Sequence, residues 1–374
     1  MDLRIQQVRS KADLKKFIYL PEKIHANHHN WVHPLYFDDK VFFDKKKNKS
    51  FGFSDTIMCL AWNEKKLVGR IMGIINQRYN ETHDEKHARF CFLECYQDIE
   101  IAKALIDEVE EWAREKGMTT LIGPLGFSDK DPQGVLIEGF TEKVVIATNY
   151  NFEWMPQFLE NLGFKKKVDL VSYLVKVPEV FPEFLQKVYQ RAIKNKGIFM
   201  HEFTTKKELK PWIVPIFRLM NESYKHIYGF IRLEEKEMYA YARRYLPVLD
   251  PRFVKIITDE KQQVIAFLIS MPELSEGIRK AKGRILPLGW YKILMANKKT
   301  LLLTMLLGAI DETHRGIGLD AILAIKILES AQKHGMKYLD SHLILEHNQP
   351  MRAEYERFGG VLHKKYRIFS RSID

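Results

Sequence analysis

Apolar and polar positions follow two rhythms along this chain, and they succeed one another most densely between Thr300 and Gly360. Leu301 to Ile310 is an apolar run of strand length, and Leu319 to His334 repeats its apolar positions at helical spacing before Gly335 closes it. A second apolar run covers Tyr338 to Leu345. Between the first run and the helix stands Thr313-His314-Arg315-Gly316-Ile317-Gly318, and after the second run come Asn348 and Tyr355-Glu356-Arg357-Phe358-Gly359. The pattern predicts strand, tight glycine turn, helix, strand, helix. Glycines at 316 and 318 let the backbone approach a ligand closely, and N–H groups that open a helix point at whatever sits there. A diphosphate suits such a turn, although an ordinary strand-to-helix turn also favours glycine.

The remainder reads in the same way. Residues 6 to 50 give a strand, a helix starting near Ser10, and a polar connection holding Trp31, His33, Pro34, Tyr36 and Lys45-Lys46-Lys47. Strands are expected at Ile57 to Trp62, Lys66 to Ile75 and Arg89 to Cys95, then a helix from Ile99 to Lys116 with Ile101, Leu105, Val109, Trp112 and Ala113 on one face. Residues 123 to 156 read as a long irregular stretch. Such a stretch is either a functional loop facing a site in the other half of the chain or a crossover filling the domain interface. A short helix (Met155 to Gly163) and a strand (Lys165 to Val175) follow. Pro178 and Pro182 punctuate a junction before a helix from Glu183 to Lys196, residues 180 to 250 are mostly helical, and Val254 to Thr258 with Val264 to Met271 form a hairpin.

The elements occur twice. Glu111, Ala113, Gly117, Met118 and Leu121 recur as Glu329, Ala331, Gly335, Met336 and Leu339, each pair 218 positions apart. Glu64, Lys65 and Val68 recur as Glu260, Lys261 and Val264, and Glu160 and Gly163 as Glu356 and Gly359, both at a spacing of 196. The expected fold class is therefore α/β, with a mixed sheet in each of two tandem copies, residues 1–178 and residues 179–374. The longer spacing places Gly316 and Gly318 over Asp98 and Glu100. Carboxylates there would repel a diphosphate, and Asp98 reads as the N-cap of the helix that follows. The second copy is expected to work, and the first to be a degenerate copy that is structural or shapes an acceptor site.

Composition narrows the class. With 374 residues, 46% hydrophobic and 29% charged, the chain can bury two cores. No apolar run approaches the roughly 20 residues that cross a bilayer, and Met1-Asp2-Leu3-Arg4 opens no signal-peptide apolar region, so a cytoplasmic protein is expected, with the inner membrane face as a place of peripheral attachment. Cys59, Cys91 and Cys95 have no metal or disulfide spacing and read as buried free thiols. His25, His28 and His29 lack a companion at ligand spacing and read as a wet loop or helix face; no metal is expected. The net charge of +11 calls for an anionic partner or reflects a diffuse lysine excess. No nucleic-acid-binding module is apparent. Residues 272–299 interleave Arg279, Lys280, Lys282, Arg284, Lys292, Lys298 and Lys299 with Leu286, Leu288, Trp290, Tyr291 and Leu294. That composition suits contact with an anionic membrane, and equally a helix that caps a sheet edge with its lysines in water.

Strand, x-x-x-Gly-x-Gly turn, helix, strand, then Asn348 and the Tyr355 to Gly359 helix end resemble the coenzyme A site of the GNAT acyltransferase superfamily. The tandem arrangement, the Gly123-Pro124 stretch, Ile344 to Asn348 and Lys365 to Phe369 resemble a bacterial group of tandem-GNAT N-acyltransferases, with a related branch associated with ceramide synthesis. The resemblance implies direct acyl transfer from acyl-coenzyme A (acetyl or longer) to an amine, with a lipid amine such as a sphingoid base among the acceptors. Ile310, Thr313, His314, Arg315, Gly316, Ile317, Gly318 and Asn348 would then hold the cofactor, and Tyr355 would meet the leaving thiolate. An ammonium has no lone pair, so a base is needed near the central strand. Glu312 is the first choice and Asp311 the second; Glu346 could act through water, and Asp340 and His342 alternate along the second strand. Thr313 departs from the Gln or Arg that usually opens the family's turn. Two other readings stay open: a tandem-GNAT transferase using aminoacyl-tRNA, and a non-catalytic binding protein with both sites degenerate.

Overall fold

The computed structural model describes residues 2–195 and 197–373, so the expected helix end at Lys196 lies outside the described residues. In chain order the elements are β1 (Leu3–Gln7), α1 (Lys11–Ile24), α2 (Tyr36–Phe42), β2 (Ser54–Asn63), β3 (Lys66–Asn76), α3 (Gln77–His83), β4 (His87–Cys95), α4 (Ile99–Glu115), β5 (Thr120–Gly123), β6 (Val135–Glu138), α5 (Met155–Asn161) and β7 (Lys165–Lys176). They continue as α6 (Glu183–Ala192), β8 (Phe199–Glu202), α7 (Lys206–Leu209), α8 (Ile213–Ser223), α9 (Glu235–Tyr245), β9 (Val254–Thr258), β10 (Val264–Pro272), α10 (Ser275–Ala281) and α11 (Gly289–Lys299). The last are β11 (Leu302–Ile310), α12 (Leu319–Lys333), β12 (Tyr338–Asp340), β13 (Ile344–Leu345), α13 (Gln349–Arg357) and β14 (Val361–Ser372). The chain divides into two compact units, one of Met1–Val171, Ser275–Ala296 and His363–Asp374, the other of Ser172–Leu274 and Asn297–Leu362.

In the first unit the strands run β1, β2, β3, β4, β5, β14, with β6 on β14. All neighbours are antiparallel except β4 and β5, which pair in parallel over His87 to Arg89. A parallel pair needs a crossover, and α4 is that crossover. Its apolar stripe (Ile101, Leu105, Val109 and Ala113) is buried against Ile57, Ala61, Val68 and Ile71 of the sheet. Each aliphatic side chain removed from water in this way contributes roughly 1.5–3 kcal/mol. The helix starts where the sequence predicts: the Asp98 side chain accepts the Glu100 N–H at 2.9 Å. Past Arg89 the parallel pair is closed by the next stretch, since Leu125 N–H donates to Phe90 O at 2.8 Å and buried Arg89 donates to Gly126 O and Phe127 O at 3.2 and 2.9 Å. The stretch read as irregular thus seals the gap and contains β6, which is too short to stand out in the sequence. The three cysteines are buried and free, as expected.

The basic, aromatic stretch after β10 forms α10 and α11. Its portion up to Ala296 belongs to the first unit. There Tyr36 N–H donates to Gly283 O at 3.1 Å, and Arg284 holds the Glu22 carboxylate with bonds of 2.8 and 3.0 Å. A Cβ at Gly283 would lie 2.1 Å from Pro34 O, so only glycine permits this approach.

In the second unit β12 lies antiparallel to the end of β7 (Tyr338 opposite Lys176) and parallel to β11, followed by β10, β9 and β8 in antiparallel order. Val214, Leu219 and Met220 of α8 pack with Phe230 and Met238 against Ile256 and Phe267. A second cluster joins Ala192 of α6, Ile257, Ala266 and the α12 residues Leu319, Ile322 and Leu323. The expected hairpin is β9 and β10; β8, four residues long, escaped the hydrophobic pattern.

Replacing Asp98 by alanine leaves a helix-opening N–H without its acceptor while α4 stays in its packing. Denaturant melts should show a loss of about 1 kcal/mol. A loss of a few tenths or less would mean that the cap adds nothing to the first unit.

Candidate functional site

The two copies differ most where a strand hands over to its crossover helix. Three residues, 96–98, separate β4 from α4, whereas eight, 311–318, separate β11 from α12. The spacing of 218 that aligns the halves holds at the ends of these helices (Lys116 and His334) and at the starts of β5 and β12 (Thr120 and Tyr338), but not across this turn. By position in the fold Asp98 matches Gly318, both being N-caps.

The extra residues build a second turn. Asp311 folds back so that its carboxylate accepts from Thr313 N–H at 3.0 Å and lies 3.0 Å from His314 Nδ1, with the Thr313 hydroxyl also bonded to it. These bonds, that of the Thr313 hydroxyl foremost, hold Asp311 below its ordinary carboxylate range. It serves as a clasp on the turn. Glu312 is half-exposed, with Arg315 Nη2 3.8 Å from Oε1. Gly316 has φ of 78° with nothing within 4 Å of a built Cβ, and Ile317 is 42% exposed beside it. Gly318 has φ of 88°; a Cβ there would meet Ala192 at 2.9 Å, so this glycine also seats α6. No side chain caps α12. The start of α12 is thus bonded by no side chain and follows a turn with Arg315 and the unobstructed backbone of Gly316; helix starts left this way suit an anion.

β11 and β12 pair only from Leu302 to Thr304. Beyond them, among the described residues, no backbone hydrogen bond joins Met305–Ile310 to the chain after Asp340. β12 instead bends away: Ser341 N–H donates to Tyr173 O at 2.9 Å, and His342 turns with φ of 56°. The apolar run read as one strand from Tyr338 to Leu345 is thus broken in two. β11 also carries an irregularity at Ile269/Ser270 of its partner, and the Tyr224 hydroxyl donates to Gly308 O at 3.0 Å while accepting from Gly308 N–H at 3.2 Å.

The residues after β12 gather on α13. Asn348 caps that helix, its Oδ1 accepting from Met351 N–H at 3.3 Å. Glu346 is tied through its carbonyl, which accepts from Arg352 Nη1 at 2.8 Å. Arg352 Nε donates to the Tyr173 hydroxyl at 3.0 Å, and that hydroxyl donates to Glu356 Oε1 at 2.5 Å. Tyr355 lies parallel to Tyr173, ring centroids 6.0 Å apart. Burial, then the charges of Glu354 and Asp340, raise the Tyr355 phenol well above its ordinary value. It keeps its proton and can donate a hydrogen bond, yet is too weak an acid to give the proton up freely. Asp340 is fully buried, accepting from the Ser172 hydroxyl and from His342 N–H, each at 2.8 Å.

Thus the structure brings Ile310, Glu312, Thr313, His314, Arg315, Gly316, Ile317 and Gly318 into one turn, and groups Glu346, Asn348 and Tyr355 around α13. Glu354 is a residue that sequence reasoning missed. Burial and the nearby Asp320 of α12 push this carboxyl up to about 7, with Arg357 opposing. It lies one position before the Tyr355 motif, and only the packing of α13 distinguishes it.

Another reading from the sequence is overturned in the first unit. His25 is no wet histidine: it is 3% exposed, with its Nε2 2.7 Å from Glu94 Oε2 and its Nδ1 2.9 Å from His28 Nδ1. Among the described residues no group of three or more His, Cys, Asp or Glu is placed to hold a metal ion, and no helix is long and apolar enough to cross a membrane.

Comparison with solved structures defines the class of fold. A tandem GNAT protein of the clavulanic acid pathway, without acetyl-CoA, superposes with a TM-score of 0.58 at 12% identity, covering 100% of this chain and 99% of that one. A probable N-acyltransferase from Enterococcus faecalis matches with a TM-score of 0.53 at 8% identity, covering 100% of this chain and 73% of the other. The chain has a tandem GNAT fold. No family model matches it. Two curated proteins align over nearly their whole lengths. The bacterial ceramide synthase of Caulobacter vibrioides is 26% identical, covering 100% of this chain and 98% of the relative. Protein YghO of Escherichia coli is 25% identical, covering 97% and 94%. Fold and relatives together support acyl transfer in general.

Glu354 provides a test of the packing around α13. The folded chain keeps its proton up to about 7, whereas in an unfolded chain the carboxyl ionises near 4.5. Between these values the unfolded state binds fewer protons, so this contribution is complete below 4.5, falls as pH rises, and is lost above about 7. Glu354→Gln should therefore melt at increasingly higher temperature than the wild type as pH is raised from 5 to 8. A difference in Tm that does not change with pH would refute the raised value.

Proposed function

We propose that this protein transfers an acyl group from an acyl-coenzyme A to an amine, with the donor bound in the second unit. One observation carries the reading: α12 opens without a capping side chain behind the unobstructed Gly316, while its counterpart α4 is capped by the carboxylate of Asp98. An uncapped helix start attracts a diphosphate, and an acid-capped one repels it. Thr313 to Gly318 and Arg315 would hold the diphosphate. The pantetheine arm would run between the diverging β11 and β12, with Ile310 and Asn348 at its sides. Because the Tyr355 phenol stays protonated, it would stabilise the departing thiolate as a hydrogen-bond donor. Glu312 and Glu346 are the carboxylates of this unit proposed to relay the amine proton.

The acceptor we favour is a lipid amine. A full-length relative is a ceramide synthase, and α11 with the turn before it exposes Leu286, Leu288, Trp290, Tyr291 and Leu294 next to Lys292, Lys298 and Lys299. Exposed aromatic and aliphatic groups among lysines suit an anionic bilayer surface.

Calorimetric titration of acetyl-, octanoyl- and palmitoyl-CoA into the wild type and Gly316→Glu tests the donor site. Binding should strengthen with chain length and fall at least tenfold in the variant. Binding that Gly316→Glu leaves untouched would remove the site from this turn. Sedimentation with vesicles of anionic lipid should retain the wild type and release Leu288→Asp/Trp290→Asp. Equal retention of both would exclude α11 as the lipid contact.

A further inference from the structure

Past Thr304 the edge of β11 that faces away from β10 meets no further strand among the described residues, and a side chain covers part of it. Asp311 N–H donates to Ile265 O at 2.8 Å, and the register runs on from there through Ile310 opposite Ala266 to Gly308 opposite Leu268. In an antiparallel pair the backbone groups of alternate residues turn to the partner strand, and those of the residues between turn away. Asp311 and Ala309 therefore serve β10, whereas Ile310 and Gly308 present N–H and C=O to the gap that β12 leaves. At Gly308 both groups are taken by the Tyr224 hydroxyl, which accepts from the N–H at 3.2 Å and donates to the carbonyl at 3.0 Å.

An uncovered strand edge carries donors and acceptors that must be paired somewhere. The first copy closes the edge of β4 with main chain: Leu125 N–H donates to Phe90 O at 2.8 Å, and a Cβ at Gly123 would lie 2.3 Å from the same oxygen. The second closes Gly308 with a hydroxyl at the end of a side chain. The backbone of Tyr224 is fastened separately, its N–H donating to Met220 O at 2.9 Å and its carbonyl accepting from Ile227 N–H at 2.8 Å where α8 ends. Buried Asn221, one turn earlier, holds the loop that follows by bonds of 2.9 and 3.0 Å to Leu233. The Tyr224 ring is half-buried and edge-on to Phe230 at 6.3 Å. It can turn off Gly308 about its side-chain torsions while the backbone stays in place.

A group that donates to the carbonyl and accepts from the N–H of one strand residue does what an added strand would do there. A ligand chain with two successive amides supplies the same pair, the N–H of one amide and the carbonyl of the next. The pantetheine arm of coenzyme A is such a chain. Ligand and hydroxyl cannot both hold Gly308. Tyr224 also stands close to Tyr355: after burial, Glu354 and Asp340, it is the next group that raises that phenol.

We propose that Tyr224 is a gate on the groove beside β11: without ligand its hydroxyl closes the strand edge at Gly308, and an amide-bearing chain that enters the groove takes over both backbone bonds as the ring turns aside. The inference rests on the acyl-transfer reading above for the identity of that chain, though not for the closed contact. Opening exchanges bonds instead of adding them. The closed gate therefore lowers the apparent affinity of the ligand in proportion to the fraction of molecules that stand open. For a hydrogen bond of ordinary net strength that is a factor of about three to ten.

The test uses the full chain with 13C at tyrosine Cζ and 15N-labelled glycine, and Tyr224→Phe, which keeps the ring and removes the hydroxyl. Without ligand, the Gly308 amide should exchange with solvent faster in the variant than in the wild type. Octanoyl-CoA should shift the Tyr224 and Gly308 signals of the wild type, and should bind Tyr224→Phe about three- to tenfold more tightly. Pantetheine, which has the two amides and no phosphate, should show the same gain at millimolar concentration, and Gly316→Glu should leave that gain unchanged. Octanoyl-CoA that binds without moving the Tyr224 signal, or that binds Tyr224→Phe no more tightly than the wild type, would overturn the gate. So would octanoyl-CoA and pantetheine that both leave Tyr224 unmoved. Octanoyl-CoA that fails to bind while pantetheine still shifts Tyr224 would instead remove the diphosphate site and leave the gate in place.

Discussion

A helix cannot begin without leaving backbone N–H groups unpaired, and the two copies answer that requirement differently. In α4 the Asp98 carboxylate meets it from within the chain. In α12 no side chain does. The rest of the second unit is arranged around that opening. The clasp of Asp311 shapes the turn, Gly318 lets α6 pack behind it, and β12 departs from β11 after three residue pairs.

The two copies have therefore diverged by reassigning a shared frame. Where the second leaves its parallel pair parted, the first closes the gap through Leu125 and Arg89. The second brings a tyrosine hydroxyl onto the backbone of Gly308 in β11, whereas the first carries Glu94 on β4 and pairs it with His25, which meets His28 in turn. Glu94, partly buried beside Arg70, is costly to desolvate, and the His25 imidazole pairs with it at 2.7 Å.

Much of this was legible in the sequence because it repeats at short range. The 3.6-residue period of Ile101, Leu105 and Val109, the Asp98 cap and the β9–β10 hairpin are local signals, and each appears where expected. The recurrence of Gly117 and Gly335 revealed the duplication, yet a constant spacing misplaced the turn, because five residues of difference fall inside it and leave no mark in composition. His25 was misread for a related reason. Its partner Glu94 is 69 positions away, and nothing near His25 signals that strand β4 will bury it. Glu354 owes its character entirely to what α13 is packed against.

The first unit is assembled from three separate stretches of chain, and this bears on synthesis. Strand β5 pairs on one side with β4, and its other side waits for β14, whose residues Phe369 to Ser372 leave the ribosome some 250 positions later. Until then an apolar strand edge stands open, of the kind that recruits neighbouring chains. Arg284 and Gly283, which close over Glu22 and Pro34, also arrive late. The unit encoded first is thus completed last, and neither unit corresponds to a fragment that a single cut in the chain could release.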